Sequence, residues 1–370
     1  MNMRANTNKR YFLALNHISN IGPKTVKKLW KCWPNLSNLF ELSYAQLISE
    51  GLSAILAKSI AEFNLADIEF DLNWELKNAN NHILTWEHPC YPKLLSEIHN
   101  PPTVLYAVGN LLYLQTPSVS IVGTRNPSAS GREIARNFAS ELTKHGITII
   151  SGLALGVDAA AHIGCLDANG RTIAVLGTGI NQIYPKSHLN LSQRIKEMGL
   201  LISELPLNAA PDARHFPSRN RIISGLSLYV LIVEAAVKSG SLITARWAIE
   251  QNREVMAIPG SINNPSSAGC HYLLKQGAKL ITSVSDILDD FAWDRFESKD
   301  FNKQTSHSIQ DYSNIKFQDF INYLDLKINT FEQIALKSGL SVEEISQNLA
   351  ELELDGIIKA VPGGYTRCIL

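Results

Sequence analysis

The chain has 370 residues, with 34 Lys plus Arg against 34 Asp plus Glu, 45% hydrophobic residues and 18% charged ones. That is enough chain for roughly two to three domains, and the fractions exclude a mainly disordered or collagen-like protein. Zero net charge excludes whole-chain polycation behaviour but not a nucleic-acid partner, because attraction depends on where the charge sits.

Met1 to Arg10 is polar and basic, and the apolar stretch after it is broken by Asn16, His17 and Asn20, so no signal peptide is expected. No window reaches ~18 uninterrupted apolar residues, so no membrane span is predicted. Cys32, Cys90, Cys165, Cys270 and Cys368 are scattered, with no C-x-x-C pair. They read as inert thiols of a reducing cytosol and not as a metal site or disulfide framework.

Charge is segregated along the chain. Residues 1–40 carry Arg4, Lys9, Arg10, Lys24, Lys27, Lys28 and Lys31 and no acid, whereas residues 41–100 are mostly acidic. Two helix, glycine turn, helix patterns follow each other, one around Ile21-Gly22-Pro23-Lys24 and one around Gly51. The first fits either a helix-hairpin-helix module, in which Gly22 and Lys24 would meet a DNA phosphate, or an ordinary αα-hairpin with Pro at a helix start. The second has no basic residue at its turn and reads as structural.

From Ser118 to about Leu288, short β-branched runs alternate with helical segments. The runs are 119–122, 147–150, 172–176, 200–203, 228–233 and 255–258, with a weaker one at 279–281. Continuous apolar runs mark strands buried on both faces, which predicts a parallel sheet in a doubly wound α/β domain. Residues 296–316 are polar and read as a linker. The segment after it predicts a helix-turn-helix with Gly339 in the turn and a two-stranded wing turning at Gly363-Gly364. The expected organisation is therefore a helical module over 1–75, a Rossmann-like domain over 76–295, the linker, and a winged helix over 317–370.

Ligands of such sheets bind outside the carboxyl ends of the strands, and those segments here are rich in Gly, Ser and Thr. Gly123-Thr124-Arg125 with Ser128 reads as a phosphate cradle with Arg125 as clamp, and it has no Walker A lysine. Gly177-Thr-Gly179 starts like a dinucleotide fingerprint, but Gln182 replaces its third glycine. In His215 to Leu226, Arg219 and Arg221 are not both expected in the core, because an unpaired buried guanidinium is too costly. At least one is expected to pair with Glu204, Glu234 or Asp158. With Lys186 and Lys238 from neighbouring strand ends they outline a positive groove in which Tyr184 or Phe216 would stack a base. Catalytic signals are thin: Asp158 and His162 sit four apart on a helix, an arrangement commoner in packing than in catalysis, and Ser241 reads as a helix-capping serine rather than a nucleophile.

The ordered blocks Ile121-Val-Gly-Thr-Arg125, Ser151-Gly-Leu-Ala-Leu-Gly-Val-Asp158, Gly177-Thr-Gly with Ile183-Tyr-Pro185, Ser203-Glu-Leu-Pro206, Phe216-Pro-Ser-Arg-Asn-Arg221, Val233-Glu-Ala235, Ser239-Gly-Ser-Leu-Ile-Thr244 and Ile258-Pro-Gly260 resemble the DprA (Smf) family of DNA-processing proteins. They extend over nearly half the chain, and the flanking modules resemble that family's accessory domains, the first of them SAM-like. The resemblance implies a cytoplasmic, non-enzymatic, cofactor-free protein. It would bind single-stranded DNA, self-associate as a homodimer, and load the RecA recombinase onto incoming DNA in natural transformation, alongside other competence or single-strand-binding proteins. Arg125 and Lys186 would hold phosphates, with Asn220, Arg221 and the Ser239-Gly240-Ser241 loop completing the pocket. One departure stands out: Gly269-Cys270-His271 replaces the family's Gly-x-Asn.

Two other readings compete. Nucleoside-monophosphate phosphoribohydrolases share the Rossmann type and a Gly-rich loop, but here Trp247 occupies the place of their catalytic Glu. A transcription factor reading of the winged helix is opposed by charge, since residues 317–370 hold eight acids and four bases, with Glu343, Glu344, Glu351 and Glu353 on or beside the expected recognition helix. That module is therefore expected to mediate protein contact or self-association and not groove reading.

Overall fold

The computed structural model describes residues 8–291, 329–338, 341–354, 358–361 and 364–367. It divides into two units, Met1–Phe296 and Glu297–Leu370. The linker expected at 296–316, and the turn glycines Gly339 and Gly363, lie outside the described residues.

The first unit opens with helices α1 (Lys9–His17), α2 (Pro23–Cys32), α3 (Ser37–Phe40), α4 (Tyr44–Ser49), α5 (Ala54–Ala61) and α6 (Glu69–Leu76). Local chemistry sets their starts. Pro23 begins α2 behind Gly22, and Ser43 forms a capping box with Gln46 at α4. Then come β1 (Asn81–Thr85), α7 (Lys93–Ser96), β2 (Val104–Gly109), β3 (Ser118–Val122), α8 (Ala129–Lys144), β4 (Thr148–Ser151), α9 (Val157–Asp167), β5 (Thr172–Val175), α10 (Leu189–Met198), β6 (Leu200–Ser203), α11 (His215–Gly225), β7 (Tyr229–Ile232), α12 (Gly240–Glu250), β8 (Glu254–Ala257), α13 (Ala268–Lys275), β9 (Lys279–Leu280) and α14 (Ser285–Leu288).

The nine strands form one sheet in the order β1-β2-β6-β5-β4-β3-β7-β8-β9. From β6 to β9 the pairing is parallel, and β3 to β8 fall on the six main predicted runs. β1 and β2 were not anticipated and pair antiparallel, with each other and with β6. The sheet is therefore mixed at one end. Its β1 edge is blunted where the Ile83 N–H donates to Glu75 Oε1 at 2.8 Å, instead of remaining open for another strand.

Alternate residues on each strand feed opposite cores, as a doubly wound sheet requires. Ile150, Ile173, Val175, Val230 and Ile232 pack under α7, α11, α12 and α13, while Ile121, Ile149 and Leu231 pack under α8 and α9. The expected boundary near residue 76 falls between α6 and β1, yet α1 and α2 share one core with β2, β5 and β6 through Phe12, Val26, Leu29, Tyr106, Ala174 and Leu201. A buried polar tie crosses the same boundary: Asp71, only 2% exposed, accepts from the Tyr106 hydroxyl at 2.5 Å and lies 2.7 Å from His17 Nε2.

The second unit has helices at Phe331–Ser338 and Val342–Leu354 and a hairpin of Ile358–Val361 with Gly364–Arg367. Ile334, Ile345, Leu349, Leu352 and Ile358 form its core, and Asn329 adds a bridge to Tyr365.

Candidate nucleic-acid interface

The chain leaves β3 toward β4 on one side and returns as β7 on the other, so the loops after β3 and β7 diverge and open a crevice at the carboxyl ends. A cavity of about 620 Å³ occupies it. Its lining includes Gly123, Arg125, Tyr184, Phe216, Asn220, Ser239, Gly240 and Ser241, which the sequence reading had gathered, together with Ala154, Asp158, Pro211, Arg219 and Thr244. Thr124, Ser128, Lys186, Arg221 and Lys238 are not in the lining.

Arg125 is the centre of the arrangement. It is exposed, and its guanidinium carbon lies 5.6 Å from the Phe216 ring centroid. Phe216 in turn contacts Tyr184, with ring centroids 5.5 Å apart and planes at 44°. A cation and two rings thus form a continuous platform, with Tyr184 45% exposed and followed by a cis peptide to Pro185. Gly177 makes room for it, because a Cβ there would lie 2.6 Å from the Phe216 ring. Opposite the platform, Ser239 caps α12, its hydroxyl lies 2.6 Å from that of Ser241, and Asn220 donates to the Gly240 carbonyl at 3.2 Å.

The loop carrying Arg125 is held by Glu234, the second residue after β7. The Thr124 N–H donates to the Glu234 carbonyl at 2.7 Å, and the Glu234 carboxylate accepts from the Ser128 N–H at 2.9 Å and from the Ser128 hydroxyl. A Cβ on Gly131 would lie 2.6–2.7 Å from the carboxylate oxygens. The start of α8 is therefore already occupied by a protein carboxylate. The Ser128 hydroxyl, expected at the phosphate cradle, caps α8 by accepting from the Gly131 N–H at 3.0 Å and donates its proton to Glu234.

Both arginines of α11 are buried, contrary to expectation, because each has hydrogen-bond partners in the fold. Arg219 donates to the carbonyls of Gly152, at 2.6 Å, and Val175, and stands beside buried Asp158. Burial lowers its pKa to about 10, with the Asp158 carboxylate opposing the shift. Burial also raises the Asp158 pKa, against Arg219 and the Gly152 N–H, which donates to it at 3.0 Å. Arg221 faces away from the cavity. It grips Glu204 with two bonds of 2.8 and 2.6 Å and donates to the carbonyls of Asn100 and Ser218 at 3.1 and 3.0 Å. Expected in the pocket, Arg221 is not in the cavity lining and ties α11 to the end of β6. Arg125 is then the lining guanidinium left without a hydrogen bond or ion pair among the described residues.

The remaining candidates fall outside the cavity. Lys186 and Lys238 are exposed beside it in sequence, following Tyr184-Pro185 and preceding Ser239. Gly22 and Lys24 are exposed at the start of α2. His271 lies 3.0 Å from the Gly260 carbonyl through Nε2 and is not in the lining. Asp158 and His162 do not pair as acid and base. Thr172 gives its hydroxyl proton to the Ile149 carbonyl at 2.8 Å, so it accepts from His162 Nδ1–H at 2.7 Å. Burial drops the His162 pKa to about 3, so the ring is neutral. Among the described residues no His, Cys, Asp and Glu cluster suits a metal, and no helix is long and apolar enough to cross a membrane.

Fold and site define a Rossmann-like protein whose sheet mouth offers one free guanidinium, an aromatic platform and a serine-capped helix start. The profile of the family described as DNA recombination-mediator protein A matches residues 82–292, and that of the DprA winged helix domain matches 321–364. Protein Smf of Escherichia coli is 41% identical over 320 residues, covering 86% of this chain and 85% of that one. The X-ray structure of DNA processing protein A from Streptococcus pneumoniae superimposes with a TM-score of 0.68 at 35% identity, over 76% of this chain and 98% of that one. DNA processing protein A from Helicobacter pylori, described for its single-stranded DNA binding mode, gives 0.53 at 33% identity over 58% and 97%. The chain belongs to the DprA/Smf family of DNA-processing proteins, and its C-terminal unit is the family's winged helix.

Proposed function

We propose that this chain binds single-stranded DNA at the sheet mouth, without catalysis of its own, protects it, and presents it to the RecA recombinase in transformation and recombination. It acts in the cytoplasm as a homodimer. The observation that carries the reading is the Arg125–Phe216–Tyr184 platform beside the serine-capped start of α12. Rings that stack any base, and a cation with backbone N–H groups for phosphates, suit sequence-tolerant binding of a single strand and need no acid or base. The polar groups a reaction would recruit are committed elsewhere, Asp158 to the Gly152 N–H and His162 to Thr172. The relative from Helicobacter pylori, with its single-stranded DNA binding mode, supports the same reading. Lys186 and Lys238 extend the phosphate track at the rim.

Binding of oligo-dT by wild type and by Phe216→Ala and Arg125→Ala variants tests this. Phe216→Ala is expected to weaken binding by about 1–3 kcal/mol through lost stacking. Arg125→Ala should flatten the dependence of log K on log[salt] by about 0.7. Folded variants that bind as wild type does, with an unchanged slope, would overturn the proposal. RecA loading is read separately, as faster RecA assembly on single strands precoated with single-strand-binding protein.

A further inference from the structure

Helix α2 carries Lys24, Lys27, Lys28 and Lys31, spaced i, i+3, i+4, i+7, and all four are exposed. At 3.6 residues per turn they fall within about 100° of arc. The opposite face is the core-facing one, with Val26 and Leu29 buried and Trp30 against Phe12 and Trp86 at 5.6 and 5.9 Å. The other cations near the start of the described chain are neutralised, Lys9 by Glu75 and Arg10 by Glu69. Among the described residues none of the four lysines makes an ion pair, and no acid occurs in residues 1–40. Lys24–Lys28 and Lys27–Lys31 are like charges four apart, which weakens a helix until a polyanion lies along it.

We infer that this face of α2 is a second nucleic-acid contact, which takes the sugar-phosphate backbone of the strand held at the sheet mouth. The inference rests on the proposed DNA binding there. Lysine ammoniums are point charges without the guanidinium's fork, and the stripe has no aromatic or arginine among them, so it suits diffuse, sequence-independent phosphate contact. A protein partner would call for aromatic or arginine anchors. A membrane surface would call for an exposed apolar face, and that of α2 is used in the core. The mouth also needs help: with Arg125, Lys186 and Lys238 as its cations, it neutralises at most about three phosphates and predicts a slope near −2. The stripe adds up to four more.

The test compares full-length wild type, Lys24/27/28/31→Gln, Lys24/27/28/31→Arg and Arg125→Ala by fluorescence anisotropy. Each is titrated with salt against a short oligo-dT that fills only the mouth and a long one. Removing the stripe should flatten the slope for the long strand by about 2 to 3 and leave the short strand unchanged, with the arginine variant restoring wild-type behaviour. An unchanged slope for the long strand overturns the inference, as does stripe-dependent binding to phosphatidylserine vesicles without any effect on DNA. Weaker binding of both strands by Arg125→Ala, with each slope flattened by about 0.7, supports the mouth. If neither strand responds to Arg125→Ala while the stripe variant still loses the long one, the site proposed at the mouth fails and the stripe stands.

Discussion

Glu234 shows how one side chain can organise a binding loop from outside it. It accepts from Ser128 and Thr124 and closes the α8 start, so the backbone on either side of Arg125 is fixed before any ligand arrives. Glu234→Ala removes the carboxylate that accepts from the Ser128 N–H and hydroxyl, leaves the Thr124 bond to the residue-234 carbonyl in place, and should cost about 1–3 kcal/mol in urea unfolding, with faster amide exchange confined first to the Ser128–Gly131 start of α8. Oligo-dT affinity should fall with it although Glu234 touches no ligand. His162 gives a pH-dependent counterpart. Its pKa is near 6.5 unfolded and about 3 folded, so the unfolded chain binds the extra proton and stability falls as pH drops through 6.5 toward 3. Urea unfolding should show about 2 kcal/mol less stability at pH 5 than at pH 7 from this group. His82 and His88, also lowered by burial, act in the same direction. His162→Gln should flatten the profile, and an equally steep one would remove His162 as its source.

At the scale of elements, the strands from β3 to β8 were legible because each is a continuous apolar run between Gly-, Ser- or Asn-rich turns, which is what burial on both faces demands. β1 was hidden because Asn81 and His82 make it read as loop, and β2 because its partner β6 lies far along the chain and antiparallel. The site divides the same way. Arg125 and Ser239 to Ser241 follow from strand-end logic and Asn220 from the family resemblance, whereas the burial of Arg221 depends on Glu204, whose proximity exists only in the folded sheet. At Ser128, a helix start of the kind that suits phosphate carries the Glu234 carboxylate, a partner only the folded chain brings there. The helical module is tied to the sheet by Asp71, and Asp71→Ala strands the Tyr106 hydroxyl in the core. We expect a loss of about 1–3 kcal/mol with DNA binding retained at temperatures where the variant is folded. Loss of binding with no loss of stability would assign α6 a role at the mouth.

At the scale of the whole molecule, a net charge of zero conceals a basic segment over residues 1–40, a sheet mouth whose free cation in the lining is Arg125, and an acidic winged helix. In the function proposed above, the strand is held on the first unit and the winged helix meets protein. Photo-cross-linking of oligo-dT containing 5-iodouracil, with the labelled peptides identified by mass spectrometry, tests this most directly. Cross-links to Tyr184 or Phe216, reduced in Arg125→Ala, are the predicted result. Cross-links confined to residues 317–370, with the mouth unlabelled, would contradict it.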